Sequence, residues 1–271
     1  MQPIIKWTGS KRSQAETIVS NFPQEIDTYY EPFCGGCSVL YQLLKSNIRV
    51  KKYICSDINS DLINLWNMIK TNPQDIYEHY KMLWTDFNSG GVETRKEVFN
   101  KVRERYNNEH NPLDFMFIMR TVINGMPRYN KDGKFNNASH FSRPGINPET
   151  LKEILFDWSA LLNKHDVIFV QCDYITLTPN ENDFVYLDPP YAHTKGIYYG
   201  GIDTNQLFDY LSKLKCGWIL SFDGISGKDN NTFNVPNIYD EHKYINSGVS
   251  SIKRLMTQKT VQVYESIYIK K

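Results

Sequence analysis

The sequence predicts an α/β fold, a doubly wound parallel sheet interrupted by a mainly helical insertion at roughly 62–148. Three observations carry this. Residues 27–70 read strand, helix, strand, helix; residues 71–125 are polar with helical spacing and no convincing strand; and apolar strand runs return from residue 167 onward. With 271 residues, 41% hydrophobic and 23% charged, the chain can bury one large domain, or one domain with an insertion, which excludes disorder and a disulfide-stapled miniprotein. No apolar run approaches the roughly 18 residues of a membrane span. The opening Met-Gln-Pro-Ile-Ile-Lys-Trp lacks the apolar stretch of a secretion signal, so a cytoplasmic protein without membrane partners is expected.

The first strand is Asp27-Thr-Tyr-Tyr-Glu-Pro-Phe33, running into the turn Cys34-Gly-Gly-Cys37. A helix follows with Val39, Leu40, Leu43 and Leu44 on its apolar face. Tyr53-Ile-Cys-Ser-Asp57 is the next strand. The helix after it places Leu62, Leu65, Trp66 and Ile69 at i, i+3, i+4 and i+7, with Asn59 or Ser60 as its cap. Residues 125–149 are turn-rich, and Asn147 followed by Pro148 starts a helix bearing Leu151, Ile154, Leu155, Trp158 and Leu162. Strands return at 167–170, 184–187 and 218–222, with a helix marked by Leu207, Tyr210, Leu211 and Leu214 between the last two. Residues 261–269 alternate as a late strand, with 242–245 as its antiparallel partner.

Five cysteines at uneven spacing, with one isolated Cys34-x-x-Cys37, fit small residues in a tight loop of a reduced protein better than a zinc site; no metal is expected. The net charge of +1 conceals segregation. Residues 93–147 hold ten Lys and Arg against six Asp and Glu, residues 243–271 six against one, and residues 151–242 six against thirteen. Such a distribution presents basic faces to a polyanion while the whole stays near neutral.

The sharpest chemical signal is Asp188-Pro-Pro-Tyr191 directly after the apolar strand 184–187, because ligands of open α/β sheets bind beyond the carboxyl ends of the strands. Two prolines fix the backbone, so Asp188 and the carbonyl of Pro189 aim at one spot beside the flat face of Tyr191. That set suits a planar ring with an exocyclic amine. Two acceptors take its N–H bonds, the aromatic stacks on the ring, and out-of-plane acceptors favour rehybridisation of a delocalised nitrogen towards tetrahedral. The competing reading is a rigid strand-to-loop corner with a capping aspartate.

A second signal is Glu31-Pro-Phe-Cys-Gly-Gly-Cys-Ser38 with Asp57 at the end of the next strand. A glycine turn lets backbone approach a ligand and the acid can bind ribose hydroxyls. The absence of G-x-G-x-x-G points to a nucleoside without pyrophosphate. A third, weak by itself, is Lys6-Trp-Thr-Gly-Ser-Lys-Arg12, where Trp7 could cover such a ligand and Lys11 could meet a carboxylate.

In order, Lys-Trp-x-Gly-x-Lys, Glu-Pro-Phe-x-Gly, Asp57-Ile-Asn-Ser-Asp61, the block 120–136 and Asp-Pro-Pro-Tyr resemble the Dam-type DNA adenine-N6 methyltransferases of the alpha group. The resemblance spans essentially the whole chain. It implies a Rossmann-like methyltransferase sheet with an inserted, mainly helical DNA-recognition domain: 1–61 and 149–271 catalytic, 62–148 target-recognising. S-adenosylmethionine would be the methyl donor, held by Trp7, Lys11, Phe33, Cys34, Gly35, Asp57, Asp173 and Asp188. Asp188, Pro189, Pro190 and Tyr191 would hold a flipped adenine for direct attack by N6 on the methyl group, with no covalent enzyme intermediate and no metal. Double-stranded DNA would meet Arg120, Asn124, Met126, Arg128, Lys134 and Asn136. For Arg128, base reading and phosphate clamping are both open. A bacterial or phage origin, a restriction–modification role with a cognate endonuclease, and action as a monomer on DNA follow from the same likeness.

The chain departs from the family at Cys37, where the turn often has a second glycine. It departs again at Ile123, where the best-known members carry a duplex-wedging aromatic, at 137–145 and in the tail through Glu265-Ser-Ile-Tyr268. GATC is therefore not carried over as the target. Related Asp/Asn-Pro-Pro-Tyr sites also methylate cytosine N4, RNA bases or glutamine amides, and the long basic insert favours a nucleic acid. A non-catalytic DNA-binding subunit is the remaining alternative, against which the intact Asp188–Tyr191 motif and Asp57 stand.

Overall fold

The computed structural model describes residues 2–125, 127–190, 201–249 and 261–271. In chain order come α1 (Ala15–Val19), β1 (Glu25–Glu31), α2 (Ser38–Leu44) and β2 (Arg49–Asp57). Helices α3 (Ser60–Thr71), α4 (Pro73–Phe87), α5 (Val92–Glu109), α6 (Pro112–Thr121) and α7 (Pro148–Lys164) follow. Then come β3 (Ile168–Gln171), β4 (Phe184–Leu187), α8 (Thr204–Lys213), β5 (Gly217–Ser226), β6 (Asp229–Asn230), β7 (Glu241–Val249) and β8 (Gln262–Lys270). The chain divides into two compact units, Met1–Ser10 with Asn59–Gln171, and Lys11–Ile58 with Cys172–Lys271.

The second unit is the α/β part. Its strands lie in the order β2-β1-β4-β5-β8-β7. The β2–β1, β1–β4 and β4–β5 pairs are parallel, whereas β8 pairs antiparallel with both β5 and β7. The expected late hairpin is thus the antiparallel edge of a parallel sheet. All four residues of β4 are buried, as a strand covered on both faces requires. Val185 and Leu187 point into a cluster with Leu207, Leu211, Trp218 and Leu220 under α8. Phe184 and Tyr186 point the other way, towards Phe22 at 4.7 and 6.3 Å between ring centroids. That alternation gives the doubly wound layering its core. Strand β2 begins at Arg49, earlier than its apolar run suggests, because Arg49 and Lys51 pair with Glu25 and Asp27 across the parallel ladder. The short helix α1 is an element the periodicity did not announce.

Among its described residues the first unit is mainly helical, with β3 and two isolated bridges, Val122–Ser139 and Tyr129–Phe135. Asn59 accepts the Leu62 N–H at 3.1 Å to cap α3, whose Leu62, Leu65, Trp66 and Ile69 are buried. Trp66 packs at 4.9 Å from Trp158 of α7 and stacks at 5.5 Å on Phe169 of β3. An Asn cap followed by proline starts both α6 and α7: Asn111 accepts from Leu113 N at 2.9 Å and Asn147 from Glu149 N at 2.8 Å. By compactness, α7 and β3 go with the helices of this unit.

Candidate active site

Within the second unit, β2 lies on one side of β1 and β4 on the other, so the direction of winding reverses between β1 and β4. Beyond the carboxyl ends of strands flanking such a reversal is the crevice where α/β sheets bind ligands. Glu31 ends β1 and Asp188 follows β4, and both therefore face this crevice. Pro189 and Pro190 continue the chain rigidly from Asp188. Tyr191 lies outside the described residues.

Asp188 is held by Lys11. The Lys11 Nζ lies 2.7 Å from Asp188 Oδ1 and 3.4 Å from Glu265 Oε2 on β8, and Lys11 is only 5% exposed. Burial opposes its charge, yet the two carboxylates outweigh that cost and raise its pKa. Below Asp188, the buried Tyr186 hydroxyl is 2.9 Å from Ser221 Oγ. Glu31 is 3% exposed and accepts the Tyr29 hydroxyl at 2.7 Å. Burial, reinforced by the nearby Asp188 charge, pushes its carboxyl up to about 8.

The turn after β1 wraps towards the end of β2. Cys34 N donates to Ser56 O at 3.0 Å, Cys37 N to Cys34 O at 2.7 Å, and Gly35 N to Asp57 Oδ2 at 3.4 Å. Gly35 (φ 44) and Cys37 (φ 51) are both left-handed, the conformation that favours glycine, so the family's second glycine is replaced here by a cysteine under backbone strain. Burial pushes the Cys34 thiol up to about 11 and raises the Cys37 thiol well above its ordinary range, which keeps both protonated as packing groups. Asp173 caps the turn Tyr174–Thr176 by accepting the Ile175 N–H at 3.2 Å, and the Tyr174 ring sits 5.2 Å from Phe33. Phe33, the glycine turn, Asp57 and Asp173 thus gather around the β1 end of the crevice. A flat apolar wall, a glycine turn and two acids fit a nucleoside donor.

The first unit holds the other predicted residues. Half-buried Trp7 belongs to an N-terminal segment stitched to the α6 end. Thr8 Oγ1 donates to Gly125 O at 3.3 Å, and a Cβ on Gly125 (φ +62) would come within 2.8 Å of the Lys6 backbone. Arg120, 7% exposed, donates to the carbonyls of Pro3 at 3.0 Å and Ile4 at 3.4 Å, so its guanidinium braces this segment rather than facing solvent. Arg128, Lys134 and Asn136 are exposed on a hairpin-like loop closed by the Tyr129–Phe135 bridge. Phe135 is its buried anchor. The Asn107 side chain of α5 clamps it twice, accepting from Phe135 N at 2.7 Å and donating to Phe135 O at 3.0 Å. Met126 lies outside the described residues, and of Asn124 only the backbone is described. Glu265, Asn107 and the pairing of Lys11 with Asp188 were not legible in the sequence, since each depends on residues far apart along the chain.

The family model of the D12 class N6 adenine-specific DNA methyltransferases matches residues 7–216. Type II methyltransferase M.MjaIII of Methanocaldococcus jannaschii is 34% identical over 205 residues, covering 70% of this chain and 69% of that one. A DNA adenine methylase of Vibrio cholerae is 32% identical over 194 residues, covering 69% of this chain and 64% of that one. Modification methylase StsI of Streptococcus sanguinis is 31% identical over 212 residues, 73% of this chain and only 30% of that longer protein.

Proposed function

The chain belongs to the D12 class of N6 adenine-specific DNA methyltransferases, whose methyl donor is S-adenosylmethionine, and from that premise we propose how its residues carry the reaction. The substrate is an adenine swung out of double-stranded DNA, at a cost of a few kcal/mol for unstacking. Asp188 and the Pro189 carbonyl accept hydrogen bonds from the two N6–H groups, Pro190 fixes the corner, and Tyr191 stacks on the ring. S-adenosylmethionine supplies an electrophilic methyl group on a sulfonium. With that donor bound, the N6 lone pair would form the new N–C bond as the S–C bond breaks and its electrons return to sulfur, and Asp188 would take one proton from the methylated nitrogen and pass it to solvent. Acceptors pre-aligned by the proline hinge act where positive charge develops on nitrogen, which lowers the barrier without moving at the moment of reaction.

The cofactor side is Phe33, Cys34, Gly35 and Asp57, with Asp173 towards the adenine amine; Trp7 is assigned to the donor by resemblance. Lys11, assigned to the donor by resemblance, acts in this reading by holding Asp188. Residues 62–148 recognise the target and 1–61 with 149–271 catalyse. Arg128, Lys134 and Asn136 meet DNA directly, Asn124 and Met126 lie near base edges, and Arg120 supports them through the N-terminal segment. The names of the relatives, type II methyltransferase and modification methylase, support a role in a restriction–modification system; a bacterial or phage origin, a cognate endonuclease and action on DNA as a cytoplasmic monomer belong to the same proposal.

The observation that carries this reading is the buried Lys11–Asp188 pair at 2.7 Å at the carboxyl end of β4, beside the turn after β1. The modified-base map of plasmid DNA from a methylation-free host expressing the chain tests it. N6-methyladenine in one sequence context is the expected result; N4-methylcytosine, or unmodified DNA with active RNA methylation, would overturn it.

A further inference from the structure

We propose that Glu265 is a positioning residue for methyl transfer: through Lys11 it fixes the Asp188 carboxylate and keeps the acceptor site net negative. This deepens the reading of Asp188 given above and rests on it.

Two independent features converge on Glu265. The first is the shared ammonium: Lys11 sits 2.7 Å from Asp188 and 3.4 Å from Glu265, in a site where the three side chains are 5%, 17% and 18% exposed. A lone Lys–Asp pair would be neutral, and an ammonium pulling on one carboxylate weakens it as an acceptor. A second carboxylate on the same ammonium leaves the trio at net −1 and gives Lys11 two fixed anchors. Such a charge favours the positive nitrogen that forms as N6 gains the methyl group.

The second feature is the strand geometry. On β5, Phe222 pairs with Ser266 and Ile225 with Tyr264, so Asp223 and Gly224 together oppose the single residue Glu265. This bulge of two residues opposite one bends β5 where it faces Glu265. Here it is enforced by contact: a Cβ on Gly224 would lie 2.1 Å from Tyr264 O and 2.9 Å from the Glu265 Cα. Only glycine allows β5 to approach β8 this closely, and the stretch it meets, Tyr264 to Ser266, is centred on the residue that reaches Lys11. Among the described residues, the other titratable groups around the trio are Glu31 on β1 and Tyr186 on β4, both of which interact with Asp188, and Asp223 on the bulge itself.

The test compares wild-type protein with Glu265→Gln and Glu265→Asp, using duplex DNA containing the mapped target and S-adenosylmethionine. With Gln, kcat is expected to fall about tenfold while KM for DNA changes less than about twofold. The acid limb of kcat is expected to move to lower pH by about half a unit, because the unshared Lys11 ammonium holds Asp188 ionised further into acid. Asp, which keeps the charge, is expected to recover part of kcat and to restore the limb. DNA bearing 2-aminopurine at the target base, which lacks the 6-amino group, is expected to brighten equally with wild type and Gln, because extrusion does not use these acceptors. An unchanged kcat and acid limb, a loss confined to KM or to the 2-aminopurine signal, or equal impairment in Asp and Gln would overturn the inference. Wild-type protein that methylates no adenine would instead overturn the reading beneath it.

Discussion

Two carboxyl groups end neighbouring parallel strands of one sheet, and the protein treats them oppositely. Glu31, at the end of β1, is 3% exposed and is met by the Tyr29 hydroxyl, so burial pushes its carboxyl up to about 8. Asp188, just past the end of β4, has a buried ammonium at 2.7 Å. Burial alone disfavours a carboxylate, and a charge partner brought into the same buried region preserves it. The crevice therefore sets one buried carboxyl, raised by its surroundings, beside one carboxylate paired with an ammonium, a difference set by which strand end Lys11 reaches.

Erasing that difference should have the largest effect. Lys11→Met leaves Asp188 and Glu265 facing each other without a cation. A loss of about 3–5 kcal/mol in stability is expected near neutral pH, read by urea unfolding, with methyl transfer reduced at least about a hundredfold. Glu31→Gln sharpens the contrast from the other side. Because the folded pKa of Glu31 lies above the unfolded one, the folded protein binds the extra proton. Its contribution is complete below about pH 4.5 and is lost as pH rises towards about 8. Thermal melts of wild type should thus decline across that window, and the Gln variant should decline less, ending more stable by on the order of a few kcal/mol at pH 8. Tyr29→Phe removes the hydroxyl that Glu31 accepts and should cost about 1–2 kcal/mol at pH 6, measured by the same unfolding. Arg128→Ala, on the exposed loop of the other unit, should change neither acid. It should weaken DNA binding and reduce the salt slope by about one, measured by anisotropy across salt concentrations, with the pH dependence of stability unchanged.

Much of the fold was readable because apolar periodicity reports burial directly. The all-buried β4, the Leu62–Ile69 face of α3 and the alternating β8 with its partner β7 each stand in the sequence as a repeat of one type. Other elements lack such a repeat. Strand β2 starts with Arg49 and Lys51, which are held by acids on β1 rather than by a core. Helix α1 has five residues, too few to establish a period. The site divides the same way. Asp188, the turn at Gly35 and Asp57 are local motifs, each next to a strand end. Glu265 carries no motif, and its importance comes from a bulge on another strand and an ammonium near the N-terminus. Arg120 shows the converse: its place in a motif suggests contact with phosphate, while its contacts, to the Pro3 and Ile4 carbonyls, are those of a brace.

The central claim is that Asp188 acts on the adenine amine, and its most direct test is transfer of a tritiated methyl group from S-adenosylmethionine to duplex DNA by wild type and by Asp188→Ala. The expected result is label in N6-methyladenine with the wild-type protein and a loss of at least about a hundredfold in the variant, with DNA affinity preserved. Undiminished labelling of adenine by a folded Asp188→Ala protein would contradict the role given to this carboxylate.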